Sequence, residues 1–510
     1  MIARFALAAL LLLAQVAVAD AQLWGATTAV GQPYPLDNLP RPAAAYGTVR
    51  LLASYTANKA LDLTLVNGDN SSTQTVGFVN GLVDAATGDA FCAASPSTCY
   101  ITRVYDQSGN GCDATQSNNG SAPVWSAANA VSGVRPIVFN SIAHTTTGLT
   151  VSTKWLTTAC PSWSPGSNTT FVFAGQNLQS HESRVMFEET TDTVGFMSAF
   201  LGFPPSLAIQ SLGAHSATAA EVEPAILMFN WTGGAATVWS NDQTSTFNVG
   251  AQAPALGANL GSSDTTDVSN MDALALVLYT LPVSAGQGSA MRAALANALS
   301  IQQTYSYVLV NDGDSMSSGE GSLLDNSPMR FALPSINPPV RAYLDAVFGT
   351  TLATMLTNFS ANIAPHCSGA YTACIIHIMA GENDIRAGTQ VATIEANLRA
   401  YVNAVHAIGP NAKVIIGVTP MQCGWSGAQL TAYQQYTTDR ISLGTVPQAQ
   451  GGFGADGIAN YWADPTIGAG NFTTSAFCNG MYSPDGGHPT DLTMGIMGGI
   501  EAAAVNALLH

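Results

Sequence analysis

From Tyr46 to about Leu299, short apolar runs alternate with clusters of Gly, Asn, Ser and Asp. The runs Ile101–Val104, Pro136–Phe139, Thr170–Phe173, Ala225–Phe229 and Leu274–Tyr279 read as strands, with the polar clusters as their turns. Many short strands of this kind predict an all-β sandwich or jelly roll. Ser289–Leu299 is expected to close this region as a helix. After a linker over 301–306, the pattern changes. Tyr307–Val310, Ala373–Met379 and Lys413–Val418 are continuous apolar runs expected to form buried strands. Between the last two, Val391, Ile394, Leu398, Val402, Val405 and Ile408 recur at helical spacing, and Gly409-Pro410 ends the stripe. A final helix is expected from about Asp491 to Leu509, with Thr490 as N-cap and Leu492, Ile496 and Ile500 on one face. Strands alternating with helices predict a parallel sheet flanked by helices, with sites at the carboxyl ends of the strands.

The ends of the chain refine this division. Arg4 precedes an apolar run from Phe5 to Leu13, continuing to Ala19, and Ala19-Asp20-Ala21 offers a small-x-small cleavage site. Residues 1–21 are therefore expected to be a secretory signal peptide, followed by a lead-in over 22–42 rich in Pro, Gly and Ala. The expected domains are 43–300 and 307–510. Eight cysteines, four in each part, fit an oxidising compartment. Cys92–Cys99 and Cys367–Cys374 enclose short loops and are the preferred pairs; Cys112–Cys160 and Cys423–Cys478 follow by elimination. Extracellular export is the expected location, or the periplasm in a Gram-negative host.

Composition narrows the partners. Only 9% of residues are charged and the net charge is −17, which argues against nucleic acid or an anionic membrane. The cysteine and histidine spacings do not form a zinc site, so no metal or cofactor is expected. Sequons stand at Asn70, Asn119, Asn168, Asn230, Asn358 and Asn471, and matter only in a host that glycosylates.

Three stretches could carry chemistry. Gly313-Asp314-Ser315 with Gly319 follows the first strand of the second part, where a serine hydroxyl can stand clear of the backbone. Gly381-Glu382-Asn383-Asp384 follows a later strand, and an asparagine there can donate to a developing oxyanion. Asp485-Gly486-Gly487-His488-Pro489 precedes the last helix; its histidine could take a proton while its aspartate fixes the tautomer. Asp314 reads as a turn residue, Asp384 as a cap for the next helix and His377 as a hydrogen-bonded core residue. Trp425 and Trp462 are either a sugar-stacking platform or core.

In this order, the three stretches resemble the SGNH, or GDSL-type, hydrolases over about residues 307–510. That resemblance implies a three-layer α/β fold with a flavodoxin-like parallel sheet. It implies Ser315 as nucleophile, His488 as base and Asp485 as orienter. The oxyanion donors would be the Ser315 N–H, Asn383 and a glycine after the second strand, for which Gly349 in Phe348-Gly349-Thr350-Thr351-Leu352 is the match. Upstream, Asp89-Ala90-Phe91-Cys92 and the run from Cys99 through Tyr105-Asp106-Gln107-Ser108-Gly109 resemble the start of the B-type α-L-arabinofuranosidase catalytic domain. This implies a concanavalin-like sandwich, either catalytic or sugar-binding. Retaining glycosidases need carboxylates about 5 Å apart. Glu188 or Glu189 and Asp264 lie in the corresponding parts of the chain, although exposed loop carboxylates are the favoured reading.

Together with the expected leader, the resemblances imply a secreted carbohydrate esterase, a deacetylase acting on acylated polysaccharide or oligosaccharide. The alternatives are an arabinofuranosidase in the first part, alone or alongside an esterase, and a non-catalytic polysaccharide-binding protein. Acyl group, sugar and oligomeric state stay open.

Overall fold

The computed structural model describes residues 34–509, apart from 159–167, 249–257, 262–269, 320–326, 469–487 and shorter stretches between 68 and 422. Asp485, Asp264, Cys160, Cys478 and Asn471 lie outside the described residues, as does the expected leader.

Up to Tyr279 the described sheets are antiparallel. One has seven strands, with Asn270–Tyr279 and Asn168–Asn177 side by side near its middle. Every residue of Met271–Tyr279 is buried, because both faces of that strand are covered. Phe171, Phe173, Leu276 and Leu278 join residues of the ten-stranded sheet, including Leu61, Leu63, Ile101 and Leu260, in one apolar cluster. Val172, Ala174, Ile226 and Val277 face the other way, under Met291, Leu295 and Leu299 of the helix Ala285–Leu299. That helix starts four residues before the expected Ser289. Ser284 and Gln287 form a reciprocal capping box, which offsets the weak propensity of Gly286 and Gly288 in the first turns. The Cys92–Cys99 and Cys367–Cys374 disulfides are present, and Cys112 and Cys423 are also disulfide-bonded.

Among the described residues, the second part forms a five-stranded parallel sheet. Its strands, numbered within this part, are β1 (Tyr307–Gly313), β2 (Arg341–Leu344), β3 (Ala373–Met379), β4 (Ala412–Val418) and β5 (Gly457–Asn460). They lie in the order β2-β1-β3-β4-β5. This is a doubly wound order, whose direction reverses between β1 and β3. The helices are α1 (Ser315–Ser318), α2 (Pro328–Ala332), α3 (Leu352–Asn362), α4 (Glu382–Arg386), α5 (Val391–Ile408), α6 (Gly427–Leu443) and α7 (Asp491–Asn506). Alternate strand residues serve the two faces. Val308, Val310, Ile376, Ile378, Val414 and Ile416 pack with α3, α5 and α6. Leu309, Ile375 and Ile415 pack with α2 and α7.

The expected apolar face of α7 is only partly the inward one: Ile496 and Ile500 pack at the edge of the core, and Leu492 does not. Leu492 is 45% exposed, and Ile496 and Ile500 are only partly buried. The inward side of α7 carries Met494, Met497, Glu501 and Val505. Gly498 lies on α2 so closely that a Cβ would sit 2.6 Å from the Phe331 Cβ, and this contact sets the rotation of the helix.

Candidate active site

The turn after β1 presents the serine. Asp314 is the N-cap of α1, and its Oδ1 accepts from the Met316 N–H at 3.0 Å. This is the structural turn role expected for Asp314. Ser315 then opens the helix, where its own N–H has no partner within the helix. Its side chain is nearly buried, and Oγ lies 3.0 Å from Nε2 of His488. His488 arrives from the segment before α7, so residues from the two ends of the domain meet over the carboxyl end of β1. A hydroxyl and an imidazole at this distance can exchange a proton, which is what a serine needs to become a nucleophile.

Asn383 approaches from the carboxyl end of β3. Gly381, with φ of +113°, turns the chain into α4, and a Cβ there would lie 2.3 Å from the Tyr436 ring. The Asn383 Nδ2 donates to the Thr350 carbonyl at 3.0 Å and to Asp314 Oδ2 at 3.4 Å. It therefore ties the serine turn to the loop holding Gly349. That loop follows β2; the Val347 N–H donates to the Gly313 carbonyl at 2.8 Å, and Gly349 adopts φ of +68°. Ser315, His488, Asn383 and the Gly349 loop are thus brought together. Phe348 stands at the rim, 54% exposed, its ring centroid 6.3 Å from that of His488.

Buried charge supports the turn. Burial, and then the neighbouring Glu382, push the Asp314 carboxyl up to about 7. Arg440 donates to Glu382 Oε1 at 2.9 Å, to Thr419 Oγ1 at 3.0 Å and to the Gly417 carbonyl at 3.1 Å. It also stacks over Tyr436 at 4.2 Å. One residue before the turn, burial raises Asp312 to about 7, while Tyr401 donates to its Oδ2 at 2.5 Å. Asp384 does cap a helix, but the preceding one: its Oδ2 accepts from the Leu352 N–H that opens α3, at 2.9 Å. The cause is spatial, since β1 and β3 are neighbours and bring α3 beside α4. The roles of Glu382, Arg440 and Asp312 are not readable from the local sequence. The available signal was the stripe Tyr433, Tyr436, Thr437 and Arg440, which puts an arginine on the inward side of α6.

Other candidates separate from this cluster. His377 is fully buried, accepts or donates at 3.2 Å with the Tyr461 hydroxyl, and has its pKa pushed down to about 3 by burial. Trp425 and Trp462 pack against the apolar core, Trp425 edge-on to Tyr433. Glu188 and Glu189 end the strand Arg184–Glu189. Within the Tyr105–Gly109 run, Asp106, Gln107 and Ser108 are buried. Asp106 accepts from the N–H groups of Ala45, Ser108, Asn110 and Cys112 and from the Ser108 hydroxyl. Gln107 accepts from the Leu51 N–H and donates to the Val49 carbonyl. A pocket of about 640 Å3 beside this turn, lined by Leu36, Arg41, Leu52 and Tyr55, holds no nucleophile–base pair. Among the described residues no group of His, Cys, Asp and Glu could hold a metal ion, and no helix is long and apolar enough to cross a membrane.

Residues 35–153 match the family model described as the catalytic domain of α-L-arabinofuranosidase B. The α-L-arabinofuranosidase B of Aspergillus kawachii (strain NBRC 4308) is 39% identical over 77 residues, which is 15% of this chain and 15% of that one. The chain therefore spans only 15% of the length of the curated relatives it matches. Among solved structures, a GH54 arabinofuranosidase soaked with a cyclic sulfate inhibitor covers 50% of this chain and 63% of its own, at 17% identity and a TM-score of 0.39. A member of the lipolytic protein G-D-S-L family from Veillonella parvula DSM 2008 covers 39% of this chain, in its C-terminal part, and 98% of its own, at 16% identity and a TM-score of 0.29.

Proposed function

We propose that this protein is an exported carbohydrate esterase, with a three-layer SGNH-type domain over 307–510 behind a concanavalin-like sandwich over 43–300. The observation that carries the reading is the 3.0 Å approach of His488 Nε2 to Ser315 Oγ at the carboxyl end of β1, beside the sheet's switch point. Ser315 attacks an ester carbonyl while His488 takes its proton, and Asp485 orients the imidazole. The Ser315 and Gly349 N–H groups and the Asn383 amide receive the oxyanion. One Asn383 hydrogen is held by Thr350; the other, on the longer contact to Asp314, is the one that turns to the substrate. His488 then protonates the leaving alcohol, and water releases the acyl group from Ser315. The family match over 35–153 supports a sugar as the alcohol part of the ester; the acyl group proposed for it is acetyl.

The same match favours a second reading, arabinofuranoside hydrolysis in the first part. Its candidate carboxylates, Glu188 or Glu189 with Asp264, fall outside the matched residues. Hydrolysis of p-nitrophenyl acetate, acetylated polysaccharide and p-nitrophenyl arabinofuranoside by wild type and Ser315→Ala separates the readings. Loss of ester turnover alone in the variant supports the esterase. Arabinoside turnover that survives the substitution supports the second reading. A folded wild type inert on all three would leave polysaccharide binding as the function.

A further inference from the structure

The two elements that lead into the catalytic cluster are each gripped by a buried carboxylate of the antiparallel part. β2 is the edge strand of the parallel sheet and all four of its residues are buried. Its Ala342 N–H donates to Oε2 of Glu223 at 2.9 Å, and the Arg341 guanidinium lies 4.0 Å from the same carboxylate. Glu223 and Arg341 are each only 3% exposed. Five residues beyond the end of β2 comes Gly349. On the other side, Arg330 of α2 donates to Oδ2 of Asp272 at 2.7 Å, and Asp272 is 1% exposed. α2 packs against α7 through the close Gly498 contact, and α7 begins three residues after His488.

We infer that the antiparallel part is a positioning partner of the Ser315 centre. Glu223 fixes the strand that carries the Gly349 loop, and Asp272 fixes the helix that seats the His488 segment. The inference rests on the esterase reading for its effect on rate, but the anchoring itself can be measured apart from it. A buried edge N–H needs an acceptor. If Glu223 is truncated, the strand can regain one only by shifting toward water or a neighbour. A displacement of about 1 Å at a reacting group costs roughly 100-fold in rate. The Gly349 loop is the part of the site that such a shift would move.

The test uses the full chain as wild type, Glu223→Ala, Glu223→Gln and Asp272→Ala, with Ser315→Ala as control. Reactive serines are titrated with a fluorophosphonate, so that turnover of p-nitrophenyl acetate is expressed per functional site. Glu223→Ala is expected to lower kcat per titrated site by roughly tenfold to 100-fold with KM little changed. Glu223→Gln keeps an acceptor for Ala342 and is expected to recover most of that loss. In parallel, amide hydrogen exchange should quicken over 341–350 in Glu223→Ala and over 327–336 in Asp272→Ala. A purely stabilising contact would lower the titrated fraction and leave kcat per site untouched. An unchanged kcat per site, or unchanged exchange over both segments, overturns the inference. If Ser315→Ala retains full ester turnover, the esterase reading fails by itself, and the exchange measurements still decide the anchoring.

Discussion

Replacing Arg440 with methionine removes the cation from a buried ion pair beside the site. The guanidinium is 1% exposed and reaches Glu382, Thr419 and the carbonyls of Gly417 and Ala380. Methionine fills much of the volume but leaves the Glu382 carboxylate buried with the Thr419 hydroxyl, at 2.6 Å, as its remaining side-chain donor. Stranding a buried charge in this way costs about 3–5 kcal/mol. For a domain of this size, roughly 2–4 °C of melting temperature goes with each kcal/mol, so a fall of about 6–20 °C is expected.

The partner substitution makes the reasoning sharper. Glu382→Gln combined with Arg440→Met removes both charges, so the double variant should be more stable than the sum of the single losses, with a coupling of about 1–3 kcal/mol. Arg440→Lys keeps the charge but loses the planar fork and the stacking on Tyr436, and should recover less than half of the loss. Thermal and guanidinium unfolding of the wild type, the two single variants, the double variant and Arg440→Lys, followed by tryptophan fluorescence, measure each term. A melting temperature within 2 °C of wild type for Arg440→Met, or strict additivity in the cycle, would refute the claim that this pair is a stranded-charge site.

Three further outcomes follow from the same geometry. Asn383→Ala should lower kcat by roughly 100-fold, about 3 kcal/mol, with KM little changed, as read in steady-state ester hydrolysis. Gly381→Ala places a methyl group in the Tyr436 ring at a φ of +113° and should cost about 2 kcal/mol or more, measured as a shift in denaturant midpoint. Asp312→Asn tests linkage. A carboxyl raised to about 7 binds its proton more tightly folded than unfolded, so its contribution is full below the unfolded value near 4 and is lost as pH rises through 7. The stability of Asp312→Asn relative to wild type should therefore climb by about 1.4 kcal/mol per pH unit between roughly pH 4 and 7, and a flat difference would remove burial as the cause.

The legible parts of the fold were those whose pattern is local. Tyr307–Val310 and Ala373–Met379 are continuous apolar runs because both faces of a central parallel strand are covered. The Val391–Ile408 helix announced itself through its stripe and its Gly409-Pro410 stop. β2 and β5 did not. Each has four residues, and one opens with an arginine whose partner, Glu223, is 118 positions upstream. α7 misled because Met, Gly, Ile and Ala surround it, so apolar spacing alone cannot choose a face; the backbone contact at Gly498 chooses it. The serine and the histidine were readable from residue types on strand-end turns, and their meeting at 3.0 Å required only the parallel sheet.

What separates chemistry from support in this molecule is saturation of the polar groups rather than the motif that contains them. Asp106 lies in a run as distinctive as Gly313–Gly319, yet its carboxylate receives four N–H groups and a hydroxyl, which leaves it nothing to offer a substrate. Asp384 and Asp314 are likewise engaged by the backbone N–H groups of Leu352 and Met316. Ser315 differs. Its Oγ has an imidazole on one side, and its N–H opens a helix with no intrahelical acceptor. Asn383 keeps one hydrogen on a 3.4 Å contact that a stronger acceptor would displace. A tetrahedral oxyanion is such an acceptor, and under the proposed esterase reading a transition state would complete the geometry that this longer contact leaves open.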